Sequence, residues 1–203
     1  MDGVTEKMRE QIRSWERGRI FFLDDFVWLR SPEAVRFALY GMVKDGFVIR
    51  LARGVYCYPR IEGEYGMKMV VPSEERIAQC IAQKEKVRII PYGDQSAYKL
   101  GLMTMRVSNL KYLTDGASRM ISLSANKKIY FIHTDEVKMF GYCNETMQDI
   151  ASAIRFLTRE MINAERRRII HEHLMVVPEE DFRKDIVIPP AWVGKIITDI
   201  WNN

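Results

Sequence analysis

The stretch "SPEAVRFALYGMVKDGFVIRLARGVYCYP", residues 31–59, joins a helix with both ends marked to a ribbon that reverses on one glycine. Ser31 is a favourable N-cap, Pro32 falls at the first helical position where its missing N–H is harmless, and Glu33 meets the positive end of the helix dipole. Across 33–45, at roughly 100° per residue, Val35, Ala38, Leu39, Met42 and Val43 form one apolar stripe. Glu33, Arg36, Tyr40 and Lys44 fall on the opposite face. "KDG" at 44–46 ends the helix, with Gly46 suited to a left-handed C-terminal position. In the ribbon, Phe47, Ile49 and Leu51 point one way and Val48 and Arg50 the other. Gly54 permits the tight reversal that sets Arg50 and Arg53 at the tip.

Upstream, residues 4–17 read as a charged helix, and "RIFFLDDFVWL" is apolar around Asp24-Asp25, a pair that starts a short helix. Three helices and a hairpin within the first 60 residues match a winged helix-turn-helix, whose second motif helix enters the DNA major groove while the ribbon, the wing, lies along the backbone. On that arrangement Arg36 and Tyr40 face base edges or phosphates, with Glu33 and Lys44 on the same face. Arg30 and Ser31 sit at the helix N-terminus, where backbone N–H groups also meet phosphate, and Arg50 and Arg53 neutralise phosphates. The plainer alternative is an ordinary solvated helix face on a winged fold used for protein contacts.

Charge distribution favours the first segment. Of a formal net charge of +4, residues 1–60 carry +3, from eleven Lys/Arg against eight Asp/Glu. Hydrophobic residues make up 47% of the 203, enough for a sizeable core. Three scattered cysteines, Cys57, Cys80 and Cys143, support neither a disulfide framework nor a zinc site. The N-terminal stretch lacks an apolar signal core, and no apolar run reaches about eighteen residues, so a soluble cytoplasmic protein is expected.

"RIEGEYGMKMVVP", with two glycines, a proline and little periodicity, marks residues 61–72 as a linker between a DNA-binding domain at 1–60 and an α/β domain at 73–203. Ser73 caps a helix over "EERIAQCIAQKEK", "VRIIP" reads as a buried strand, and "YGDQSAYKLG" as a turn with a short helix. "NLKYL", "SRMISLS" and "KKIYFIH" have strand character, with "TDG" and "AN" as turns. Helical periodicity follows at Met147, Ile150, Ala151, Ile154 and Leu157, then over 162–175 and 190–201.

Chemistry-bearing patterns in this second part are sparse. "HEH" sets His171 and His173 on different sides of a helix, unlike a metal-binding HExxH pair. His133 reads as a strand-end residue. Asp115 with Glu136-Val137-Lys138 matches the acid and acid-x-Lys spacing by which restriction-type nucleases hold magnesium, yet Glu136 falls in a turn rather than on a strand. Phosphate-binding glycine loops and nucleophile elbows are absent from the sequence. "ERRRIIHEH" reads as the outer face of an amphipathic helix, and Trp192, Ile196, Ile197, Ile200 and Trp201 as a core-packing stripe.

"AVRFALYGMVKDGFVIRLARGVYCYP" at 34–59 resembles the N-terminal winged helix of AbiEi-type antitoxins, the regulatory partners in bacterial abortive-infection toxin-antitoxin systems. "RIIPYGDQSAYKLGLMT" at 88–104 and "KYLTDGASRMISLSANKKIYF" at 111–131 look like the following domain of related bacterial proteins. The resemblance implies a winged domain that represses its own operon by binding double-stranded DNA upstream of it. It also implies a second domain that opposes a co-encoded nucleotidyltransferase-like toxin. It carries over to the helix from Ser31, the wing at Arg50 to Tyr56 and the "PYG" and "TDG" turns; Met105 departs from it, standing where a glutamine is expected.

The sequence therefore leads to an α+β protein, an N-terminal winged helix-turn-helix followed by a mixed α/β domain with C-terminal helices. The expected function is a non-enzymatic repressor and antitoxin without cofactor or metal. A magnesium-dependent nuclease with a DNA-binding arm and a ligand-responsive regulator stand as alternatives.

Overall fold

The computed structural model describes residues 2–63, 68–105 and 108–203. The fold is α+β. It opens with α1 (Asp2–Arg13), β1 (Ile20–Phe22), a 3-10 segment at Leu23–Leu29, α2 (Pro32–Lys44), β2 (Ile49–Ala52) and β3 (Val55–Cys57). The three strands form an antiparallel sheet in the order β1-β3-β2, which is the winged-helix arrangement.

The Asp24-Asp25 pair starts a short helix as expected, the 3-10 segment at Leu23–Leu29. Ahead of it Ile20–Phe22 is a strand, and it makes the ribbon a three-stranded sheet. Asp25 accepts a 2.7 Å hydrogen bond from the Phe22 N–H and so turns the strand into the 3-10 segment. The ribbon also does not alternate throughout: the register shifts between Arg50 and Ala52, and both Leu51 and Ala52 are buried. Gly46 (φ 69°) and Gly54 (φ 77°) take the left-handed conformations expected of them.

The helix stripe packs as its spacing predicts. Val35, Ala38, Leu39 and Met42 of α2 close on Met8 and Ile12 of α1 and on Phe21 and Phe26. Phe21 meets Phe26 edge-on at 5.9 Å and stacks on Tyr56 at 5.7 Å, fixing the sheet against the helices.

Within 61–72, residues 64–67 lie outside the described residues; on either side, β4 (Arg60–Glu62) and β5 (Lys68–Val70) pair as an antiparallel hairpin. Ser73 caps α3 (Glu74–Glu85), its hydroxyl accepting from the Arg76 N–H. The remainder runs β6 (Ile89–Pro91), α4 (Gly93–Lys99), β7 (Leu110–Thr114), β8 (Arg119–Ser122), β9 (Lys128–His133), α5 (Glu145–Leu157), α6 (Ala164–Leu174), α7 (Glu179–Asp185) and α8 (Ala191–Trp201). Its sheet has the order β6-β7-β9-β8, with β7 antiparallel to β6 and parallel to β9.

The chain divides into two compact units, one running up to Ile81 and including Ile121–Lys127, the other comprising Ala82–Met120 and Lys128–Asn203. In the first, the 121–127 segment returns to the wing, where the Ser124 hydroxyl lies 3.0 Å and 3.3 Å from the carbonyl oxygens of Arg50 and Leu51. In the second, the α8 stripe is core: Val193, Ile196, Ile197 and Ile200 are buried, and Trp201 stacks on Phe182 at 4.1 Å. Among the described residues no helix is long and apolar enough to cross a membrane.

Candidate nucleic-acid interface

Burial of one stripe of α2 leaves Glu33, Arg36, Phe37, Tyr40 and Lys44 exposed on the other. The wing stands beside this face. Arg36 and Tyr40 from α2 and Arg50, Arg53 and Tyr56 from the wing line one open groove of about 810 Å³. Arg30 and Ser31 line an adjoining groove that shares Leu23 and Arg36 with the first. The expected DNA contacts at Arg30, Ser31, Arg36, Tyr40, Arg50 and Arg53 thus fall along a continuous surface, whereas Glu33 and Lys44 lie on the exposed helix face outside the groove linings.

Ser31 differs from its expected role. It occupies the N-cap position, but with φ −135° and ψ 80° its side chain makes no capping hydrogen bond. The carbonyl still accepts from the Val35 N–H. Arg30, at φ 51°, turns the chain between the 3-10 segment and α2.

Ion pairing separates this surface from the rest of the unit. Arg9 pairs with Asp45 at 2.8 Å and Arg13 with Glu6 at 3.3 Å. Arg17 lies 4.6 Å over the Tyr58 ring and Arg19 4.4 Å over Trp15. By contrast, among the described residues no ion pair is made by Arg30, Arg36, Lys44, Arg50 or Arg53. Uncompensated cations beside a groove repel one another and focus a positive potential on whatever enters it.

Sequence reasoning missed Phe37, which is 65% exposed. Its helical angle puts it on the polar face between Glu33 and Gly41, a position readable from the spacing alone.

The second unit ties down the residues considered for nuclease chemistry. Asp115 accepts from the backbone N–H and the guanidinium of Arg88, both at 2.7 Å, and this holds its carboxyl below the usual range. Glu136 precedes a 3-10 turn at Val137–Gly141 that contains Lys138. Both its carboxylate oxygens meet Arg155 at 2.9 Å, which lowers its pKa as well. No group of three or more His, Cys, Asp or Glu among the described residues is placed to hold a metal ion. Two arginines of the arginine-rich helix are engaged within the unit: Arg166 donates to the carbonyls of Leu102 and Met161, and Arg168 pairs with Glu172. His173 lies 3.0 Å from the Leu100 carbonyl oxygen.

The "TDG" and "PYG" turns both have structural roles. In "TDG", the Thr114 hydroxyl donates to the Arg88 carbonyl and accepts from the Gly116 N–H, so the turn ties β7 to β6. In "PYG", Gly93 starts α4 against α5, where a Cβ would meet the Ser152 carbonyl oxygen at 2.4 Å. A cavity of about 370 Å³ lies at the carboxyl ends of β7 and β9, lined by Tyr92, His133, Thr134, Glu136, Arg155 and Phe156 among others.

Comparison with curated proteins and with solved structures returns no match for this chain. A family model described as a family of unknown function, DUF6088, matches residues 7–181, thereby covering the wing, the α2 face and the sheet of the second unit; the chain belongs to this family.

Proposed function

We propose that the protein is a sequence-specific DNA-binding repressor whose α2 enters the major groove while the wing follows the adjacent backbone. One observation carries the reading: Arg36, Arg50 and Arg53, none of them ion-paired among the described residues, converge with Tyr40 on the groove between helix and wing. Arg30 and the uncapped start of α2 extend that surface toward a neighbouring phosphate. Its resemblance to AbiEi-type antitoxins supports the fuller reading, in which the protein acts in the bacterial cytoplasm, represses its own operon and opposes a co-encoded toxin.

Purified protein is expected to bind duplex DNA from upstream of its own coding sequence in preference to random duplex at moderate salt, with affinity falling as salt rises. Equal binding to both duplexes overturns the repressor reading. Co-expression with the product of the adjacent gene, scored as rescue of growth, tests the antitoxin half.

A ligand-responsive regulator is the second reading, favoured by the cavity at the carboxyl ends of parallel β7 and β9, the usual location of ligand sites in open α/β sheets. A thermal-shift screen of small metabolites tests it, the expected result being a raised melting temperature.

A further inference from the structure

Two residues on the outward face of α2 contribute little to the chain's own fold. Phe37 leaves 65% of its surface in water, although aromatic rings are among the strongest contributors to a core when buried. Gly41 follows one turn later. It lies inside a regular helix, has no positive φ, and a Cβ built on it would meet nothing within 4 Å. Neither backbone conformation nor internal packing calls for glycine there, and alanine is the better helix former.

Residues four apart lie one above the other on a helix, so Phe37 and Gly41 form a single edge, with Arg36 and Tyr40 toward the wing beside it. The same helix carries Arg36 and Lys44, and Arg30 and Arg53 line the grooves that share Arg36; all four are cations with no ion pair among the described residues. A polyanion complements them, and an apolar group is the partner that gains most from covering the exposed ring of Phe37 beside them. In the DNA major groove that group is the C5-methyl of thymine, the one hydrocarbon feature among the base edges. A glycine one turn away removes the side chain that would hold the helix off the groove floor.

We infer that Phe37 and Gly41 form the base-reading edge of α2, Phe37 packing on a thymine methyl and Gly41 allowing the helix the close approach this contact requires. The inference rests on the proposed DNA-binding reading and assigns sequence selection to an apolar contact, leaving Arg36, Arg50 and Arg53 to the phosphates.

The test compares the full-length protein on its upstream duplex with the same duplex carrying deoxyuridine in place of thymidine, which removes only the methyl groups. Wild type is expected to lose roughly tenfold in affinity on the uracil duplex. Phe37→Ala is expected to bind both duplexes alike, at the wild-type level for the uracil form, with binding to random duplex unchanged. Gly41→Ala is expected to raise the melting temperature while weakening binding to the upstream duplex by about tenfold. Preference for upstream over random DNA without methyl dependence overturns the inference and leaves the repressor reading standing. A Phe37→Ala variant that keeps the methyl preference overturns it equally. Tighter folding of Gly41→Ala with unchanged DNA affinity removes Gly41 from the interface. Equal binding of wild type to upstream and random DNA fails both readings together.

Discussion

The Ser96 hydroxyl on α4 donates a 2.7 Å hydrogen bond to the Asp149 carboxylate on α5, and both residues are buried. Lys99, one turn further along α4, reaches the same carboxylate at 2.6 Å. Removing the hydroxyl leaves a buried carboxylate oxygen short of a donor. Ser96→Ala is expected to lower stability by about 1–3 kcal/mol, read from urea unfolding. Lys99→Ala is expected to cost at least as much, because it takes the counter-ion from a carboxylate whose side chain is only 2% exposed.

Gly93→Ala tests a different constraint on the same helix pair. The added methyl would lie 2.4 Å from both the Ser152 carbonyl oxygen and the Phe156 Cβ, so α4 and α5 must separate. A loss of about 1–3 kcal/mol is expected from this overpacking, again by urea unfolding. An unchanged midpoint would contradict the close packing at this turn.

Arg36, Arg50 and Arg53 are expected to act through phosphate. Replacing Arg53 with alanine should weaken binding to upstream and random duplex alike, and flatten the dependence of log K on log salt by about one unit. Arg36→Ala should do the same. An Arg36→Ala variant that loses upstream preference while keeping random binding would instead place that guanidinium on a base edge.

His133 gives a pH-dependent test. Its Nδ1 lies 2.8 Å from the Gly116 carbonyl oxygen and its Nε2 3.1 Å from the Asp135 carboxylate. Both acceptors favour the doubly protonated ring, the Gly116 carbonyl most, so its pKa is raised. The resulting stabilisation is complete below about pH 6.5, the ordinary histidine value, and fades as pH rises through the higher folded value. NMR titration should place the His133 midpoint above that of a free histidine. Asp135→Asn should lower it part of the way, since the Gly116 carbonyl remains.

What could be read from the sequence was set by how local the cause is. α2 and the wing tip were legible because Pro32, Gly46 and Gly54 act on their own backbone. β1 was not, because Ile20–Phe22 is too short to show alternation and its strand state comes from pairing with β3, more than thirty residues later. β4 and β5 escaped for the opposite reason: most of their side chains face solvent, so they carry no two-residue hydrophobic period. The groove was half legible. Its arginines could be named in advance, but their lack of acidic partners among the described residues depends on where Asp45, Glu6 and Glu16 lie in space.

The segment Ile121–Lys127 makes the first unit discontinuous in sequence. Its Ser124 reaches the wing strand beside Arg50, and its Lys127 pairs with Glu74. A ribosome synthesising this chain therefore releases α2 and the wing well before it releases the residues that brace them. The unit that carries α2 and the wing is complete in sequence only after much of the other unit has been made. The contacts that brace the wing are thereby tied to translation past Lys127, and a truncated product ending at the β4–β5 hairpin would carry α2 without the brace behind its wing.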